Sequence, residues 1–252
     1  MRVAALYDIH GNLRALEAVL AEVERFAPDR ILVGGDIALG PMPRETLERL
    51  GSLAEPVTYI RGNCDRMMAD TGGGDSPWGG RTRWAAARCT PIQLGLLGGL
   101  PTTATLDVEG LGPTLFCHGS PRSDEEILTR ISPEHRLHAA LGGAKQGVVV
   151  SGHTHVQYDR VAIGRRWVNP GSVGMAYAES PGAYWATFGP EVTVRCTPYD
   201  VDRAIADVRE AGFPDPDEFI GKYLLARPDP AKASAFFESM AEASSPAAPK
   251  RS

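Results

Sequence analysis

Two stretches decide the reading of this chain: Val3-Ala4-Ala5-Leu6-Tyr7-Asp8-Ile9-His10 and Arg30-Ile31-Leu32-Val33-Gly34-Gly35-Asp36. Each opens as a short apolar run and runs into a carboxylate, the pattern of a buried strand that ends at a sheet edge. Between them Asn12 is placed to cap a helix over Leu13–Phe26, whose apolar positions Leu13, Leu16, Leu20 and Val23 share one face, and Pro28 stops it. Strand, helix and strand of this length form a parallel crossover unit. Asp8 and Asp36 therefore arrive at the same edge of one sheet, where open α/β sheets hold ligands.

Working outward, residues 43–53 predict a second helix and residues 56–60 a third strand, which ends at Arg61-Gly62-Asn63-Cys64-Asp65. Residues 71–80 are Gly-rich and predict a mobile loop, and Thr90-Pro91-Ile92-Gln93 satisfies a capping box. From Thr102 the texture changes to strands with short connections, over residues 102–108, 114–117, 148–151, 157–163, 167–168, 184–188 and 192–196. Asp200 opens a helix through Glu210. Residues 1–226 read as one catalytic domain, while residues 227–252, rich in Ala, Ser and Pro, predict a partly disordered tail around one weak helix.

Composition narrows the function classes. The 252 residues include 26 Lys and Arg against 31 Asp and Glu, a formal net charge of -5, with no basic run to attract duplex nucleic acid. At 43% hydrophobic and 23% charged residues the chain is an ordinary globular one. Cys64, Cys89, Cys117 and Cys196 form no C-x-x-C pair, which predicts a reducing compartment. A carboxylate at position 8 falls too early for a signal-peptide core, and no apolar run of about 18 residues exists. A cytoplasmic location without a membrane partner is the expectation; monomer and homo-oligomer stay equally open.

Four of the six histidines fall where a predicted strand gives way to a loop. His10 follows Asp8 by two residues, His118 ends Leu115-Phe116-Cys117, and Gly152-His153-Thr154-His155 follows the 148–151 strand. With 15 Asp and 6 His, chance supplies about 0.36 of an Asp-x-His and about 0.14 of a His-x-His. Either motif alone reads as an incidental turn histidine. Together, joined by Asp36 and Asn63 at two further strand ends, they form a mixed N/O donor set suited to Mn, Fe, Zn, Ni or Co. His135 and His138, after Ser132-Pro133, read as surface residues of a helix.

The order Asp8-x-His10, Gly35-Asp36, Gly62-Asn63-x-Asp65, His118 and Gly152-His153-x-His155 resembles the calcineurin-like metallophosphoesterase family. It is most similar to the small single-domain prokaryotic branch. The resemblance spans residues 3 to about 199 and extends to His118-Gly119-Ser120-Pro121 and Asn169-Pro170-Gly171-Ser172. It implies a four-layer α/β sandwich of two mixed β-sheets flanked by helices. It also implies two divalent metal ions, manganese foremost. One would be held by Asp8, His10, Asp36 and His155, the other by Asp36, Asn63, His118 and His153, with Asp36 bridging. The implied activity is hydrolysis of a phosphate ester, a nucleotide among the candidates, by a metal-bridging hydroxide.

One position departs from the family pattern. Many members carry histidine where this chain has Cys64, beside Asp65, on the leaving-group side. A thiol matches neutral pH less well as a proton donor, so phosphodiesters and activated monoesters with good leaving groups are the expected substrates. A nucleophilic role for Cys64 is disfavoured, since the hydroxide already supplies the nucleophile. Asp65 reads either as an orienting acid or as a backbone cap. Arg61 reads as a phosphate ligand or as a partner of a carboxylate. Asn12 is a further substrate-binding candidate, although it also suits a helix cap, and the helix it opens would aim free N–H groups at an anion. Trp78 and Trp84 would stack an aromatic group or pack the loop. Asn169-Pro170-Gly171-Ser172 is expected chiefly to shape a turn, and Cys117 and Cys196 to fill the core. The rival readings are a phosphatase acting on phosphoprotein or on dinucleoside polyphosphates through the same site, and a non-catalytic scaffold like the retromer subunit that resembles this family.

Overall fold

Residue alternation along the strands builds two sheets face to face. The computed structural model describes residues 1–70 and 78–244. Its first half runs β1 (Val3–Leu6), α1 (Leu13–Phe26), β2 (Arg30–Val33), α2 (Pro43–Gly51), β3 (Val57–Tyr59), α3 (Asn63–Ala69), α4 (Gly79–Ala86) and α5 (Pro91–Gly99). There follow β4 (Thr103–Val108), β5 (Gly112–Cys117), α6 (Glu134–Leu141), β6 (Val148–Val150), β7 (Tyr158–Ala162), β8 (Arg165–Asn169), β9 (Ala183–Phe188) and β10 (Val192–Thr197). The chain closes with α7 (Val201–Glu210), α8 (Pro216–Phe219), a π-helical turn at Ile220–Leu225, and α9 (Pro230–Ser244).

One five-stranded sheet has the order β10-β9-β1-β2-β3 and the other β4-β5-β6-β8-β7. In the first, β1, β2 and β3 are parallel and β9 and β10 antiparallel. In the second, β5, β6 and β8 are parallel and β4 and β7 antiparallel. Both sheets are thus mixed, as the motif resemblance implies. Val3, Ala5 and Tyr7 of the first strand and its extension meet Phe116, Val148, Val150 and Val168 between the sheets. The intervening Ala4 and Leu6 face outward, against Leu16, Val19, Leu20 and Val23 of α1. Burying those four α1 side chains stabilises the crossover by about 1.5–3 kcal/mol each. On the far side Val149 and Trp167 pack against Leu137 and Leu141 of α6. The result is helix, sheet, sheet, helix.

The helix signals in the sequence act as read. Asn12 Oδ1 accepts from Ala15 N–H, and Thr90 and Gln93 cap each other reciprocally. His135 and His138 of α6 are exposed. Three features differ from expectation. Cys196 is exposed on the edge strand β10, where Val194 on the same face is exposed too, whereas Cys117 is buried. The weak helix expected in the tail after residue 226 is α9, and it is docked, with Ala233, Ser234, Glu238 and Ala241 buried. A buried polar network holds it: Glu238 accepts from Thr129 Oγ1 at 2.6 Å, from Arg136 at 2.5 Å and from Ser132. Finally, α4 already begins at Gly79, while residues 71–77 of the Gly-rich loop and those after 244 lie outside the described residues. Among the described residues no helix is long and apolar enough to cross a membrane.

Candidate metal centre

Every parallel strand but β8 delivers a donor to one end of the sandwich. Asp8 and His10 follow β1, Asp36 follows β2, Asn63 follows β3, His118 follows β5, and His153 and His155 follow β6. The loops reach inward at a conformational cost. Asp8, His10, Asp36, His153 and His155 all have φ between 48° and 67°, and they are five of the eight non-glycine residues with positive φ among those described. A non-glycine residue held there costs about 1–3 kcal/mol, and such strain gathers where function demands a particular aim.

The neighbouring backbone makes room for this. A Cβ on Gly62 would lie 2.1 Å from Asp36 Oδ1, and one on Gly152 would lie 2.7 Å from Asp8 Oδ2, so only glycine lets these strands approach.

The donors form two groups that share one member. One ligand atom each from Asp8, His10, Asp36 and His155 lies within 4.8 Å of the others, and so do atoms of Asp36, His118 and His153. His10 Nε2 is 3.2 Å from His155 Nε2 and 3.6 Å from Asp36 Oδ2, and His155 Nε2 is 3.4 Å from Asp8 Oδ1. His118 Nε2 stands 3.4 Å from Asp36 Oδ1 and 3.1 Å from Asn63 Oδ1. Metal–ligand bonds of about 2.0–2.2 Å place neighbouring ligand atoms roughly 2.8–3.6 Å apart, so these spacings fit a coordination shell.

Proton placement fits as well. Nδ1 of His10, His118 and His155 faces the backbone carbonyl of Leu39, Gly34 and Met175 respectively, at 2.9–3.1 Å. A carbonyl only accepts, so in each neutral ring Nδ1 carries the hydrogen and Nε2 turns its lone pair inward. Two such lone pairs 3.2 Å apart repel unless a cation or proton lies between them. Asp8 Oδ1 is buried without a hydrogen-bond partner, which a cation would supply.

Without a cation the cluster is electrically divided. Burial would raise the Asp8 and Asp36 carboxyls, yet His155 and His118 pull them below the ordinary range. Burial, opposed by Asp36, leaves His10 at about 4, and burial with the His118 charge leaves His153 at about 4. For His118 burial is overcome by Asp36 and Asp8, which raise it to about 10. Two ionised carboxylates, with imidazoles that give up any proton to an incoming cation, form a borderline-to-hard donor set for divalent ions.

Residues 1–188 match the family model of the calcineurin-like phosphoesterase superfamily domain. The chain belongs to that superfamily. It is also similar to the crystal structure of a metallophosphoesterase from Sphaerobacter thermophilus. That likeness has 28% identity and a TM-score of 0.69 over 88% of this chain and 97% of the other. Its fold is shared with hypothetical protein PH1004 from Pyrococcus horikoshii OT3, at 22% identity and a TM-score of 0.78 over 90% of this chain and 99% of the other. No curated protein matches the sequence.

Other candidates take different places in this phosphoesterase domain. Asn12 does not reach the donors: beyond capping α1, its amide nitrogen donates to Gly174 O and Tyr199 Oη. Arg61 donates to Gly98 O near the end of α5 and, among the described residues, pairs with no carboxylate. Asp65 is a backbone clamp, accepting from the N–H groups of Asp36, Ile37 and Gly62 at 2.9 Å each. Burial, then Asp36, push its pKa up to about 7. Cys64 lines the cleft beside Asn63, and burial, then Asp36, hold its thiol well above the ordinary range.

The Asn169 motif does more than shape its turn. Asn169 Oδ1 accepts from Gly171 N–H, while Nδ2 donates to Gly152 O and Thr154 Oγ1 on the His153–His155 loop. Ser172 Oγ donates to Asp8 O at 2.7 Å and accepts from Met175 N–H. Sequence reasoning missed Tyr177, Tyr223 and Phe237, which stand at the mouth of the cleft. Their only signal was aromatic character in segments without a motif.

Proposed function

We propose that this chain is a dinuclear metal-dependent phosphoesterase that hydrolyses phosphodiesters or activated phosphomonoesters. The observation that carries the reading is the sharing of Asp36 between two donor groups. Asp8, His10, Asp36 and His155 would hold one divalent ion, and Asp36, Asn63, His118 and His153 the other, with manganese the first choice and Fe, Zn, Ni or Co alternatives. When bound, such a pair supplies Lewis acidity that polarises phosphoryl oxygens and lowers the pKa of water.

The chain's own groups do the rest. The hydrogen bonds of three imidazoles to carbonyls fix their aim, and Asp65 and Asn169 hold the loops that carry Asp36 and the His153–His155 pair. Cys64 stands where a leaving group would depart, and a thiol there favours esters whose leaving group needs no proton. The cleft over the donors has a volume of about 160 Å³. That is below the roughly 300–1,000 Å³ of sites for drug-sized ligands and supports a small ester over a phosphoprotein or a dinucleoside polyphosphate. Four cysteines standing as free thiols support the cytoplasmic setting proposed with it.

Metal analysis of the purified protein by mass spectrometry, followed by turnover of a phosphodiester and monoester panel with manganese, tests the reading. Two ions per chain and hydrolysis are expected, and Asp36→Asn should lose both together. Two bound ions without turnover of any activated ester would favour the scaffold reading instead.

A further inference from the structure

The cleft over the donors has two unlike surfaces. Its floor is the Asp and His cluster; its walls are the rings of Trp78, Tyr177, Tyr223 and Phe237, filled out by Met67 and Met175. The rings contact one another as a set. Tyr177 stacks on His155 at 5.8 Å and 30°, meets Phe237 at 5.6 Å and Tyr223 at 6.4 Å, and Tyr223 meets Trp78 at 5.6 Å. Tyr223 and Phe237 lie beyond residue 188, where the superfamily match ends, so the C-terminal helices add half of this collar.

Those helices are fixed in place. The π-helical turn buries Ile220 and Leu224 with Met175, Val208, Phe213 and Phe219. Glu238, next to Phe237, is locked onto Thr129, Ser132 and Arg136. Among the described residues no Lys or Arg lines the cleft; Arg81 and Lys222 lie 5.1 and 5.2 Å from the Trp78 and Tyr223 ring centroids without lining it. A second phosphate would meet no cation there, whereas a flat aromatic group would meet four rings.

We propose that the collar is a subsite for one flat aromatic group carried by the phosphate, either an aryl ring or a nucleobase. This rests on the phosphoesterase reading and names the substrate class for it. The reaction is ordinary hydrolysis: water adds to phosphorus and gives up a proton to solvent, the bond from phosphorus to the leaving oxygen breaks, and the leaving group departs with the electron pair.

The test uses the full metal-loaded chain and three diesters with one leaving group, p-nitrophenolate, and a retained methyl, phenyl or thymidine group. Leaving-group chemistry is then constant, and the retained group reports the collar. Aromatic stacking predicts kcat/KM about tenfold higher for the phenyl or the thymidine ester than for the methyl ester. A faster phenyl ester assigns the ring to an aryl group, and a faster thymidine ester assigns it to a nucleobase. The preference should shrink towards one in the Tyr223→Ala, Phe237→Ala double variant, and be lowered in Phe237→Leu, which keeps apolar bulk at that position of α9. Calorimetry on the unaltered protein should find phenylphosphonate binding about tenfold tighter than methylphosphonate, independently of turnover. Equal rates for all three diesters, equal phosphonate affinities, or a preference that survives the double variant overturns the subsite. In those cases continued hydrolysis of the methyl ester leaves the phosphoesterase reading standing. Absence of hydrolysis of every ester with both ions bound overturns that reading and this one with it.

Discussion

Asp65 separates a structural carboxylate from a chemical one, and its removal has a size that can be worked out. Its two oxygens accept three buried N–H groups, two on Oδ2 from Asp36 and Gly62 and one on Oδ1 from Ile37. Asp65→Ala orphans all three donors. At about 1–3 kcal/mol each, reduced because neighbouring effects do not add, the loss should be about 3–6 kcal/mol. A chain of this size loses about 2–4 °C per kcal/mol, so the melting temperature should fall by roughly 6–24 °C. In Asp65→Asn the amide oxygen can keep the Oδ2 pair and lose only Ile37, for about 1–3 kcal/mol and roughly 2–12 °C. Calorimetric melting of metal-free protein is the assay, since bound ions would add their own linkage. Should Asp65→Asn melt within a degree of the parent while turnover drops a hundredfold, Asp65 would be acting on substrate and the clamp argument would be wrong.

Three further outcomes are expected. Metal-free protein should be most stable near pH 6.5. As pH falls from 6.5 towards 4 the unfolded chain takes up two protons that buried His10 and His153 refuse, which outweighs the one that buried Asp65 takes up in the fold, and stability drops. His118 works in the opposite sense: its contribution is full below 6.5 and is lost as pH rises towards about 10. A urea series from pH 4 to 10 in chelator checks both limbs, and a monotonic profile would contradict the assignments. Arg61→Ala should leave KM for a phosphodiester within about twofold and reduce stability by about 0.3–1 kcal/mol, the worth of a cation at a helix C-terminus. A tenfold rise in KM would return Arg61 to the substrate. Glu238→Ala leaves Arg136 without its carboxylate and should destabilise the α9 docking by about 3 kcal/mol, seen as faster proteolysis near residue 230 with the sheets intact.

The strand ends were legible because a short apolar run that meets Asp or His has one physical meaning in a parallel sheet. Asp8 and Asp36 are therefore legible as neighbours at one sheet edge, and the His153–His155 pair as the end of a further strand. The direction a polar side chain turns once it reaches that edge was not legible. Asn12, Arg61 and Asp65 stand within a few residues of the donors, yet each serves backbone groups, and nothing in their spacing distinguishes that from facing a ligand. Cys196 shows the same limit on an edge strand, where alternation gives two faces and only packing says which is covered. The docking of α9 rests on Glu238 meeting Thr129, Ser132 and Arg136, residues more than a hundred positions away, so the Ala-rich segment itself gave no sign of it.

The donors are split between the sheets: Asp8, His10, Asp36 and Asn63 hang from one, His118, His153 and His155 from the other. Neither sheet supplies every member of either donor group. A cation seated there acts as a rivet through the sandwich, so that sliding one sheet past the other tears both shells at once. Loading the site should therefore fuse the two halves into a single cooperative unit, and a severed half should have no grip on metal.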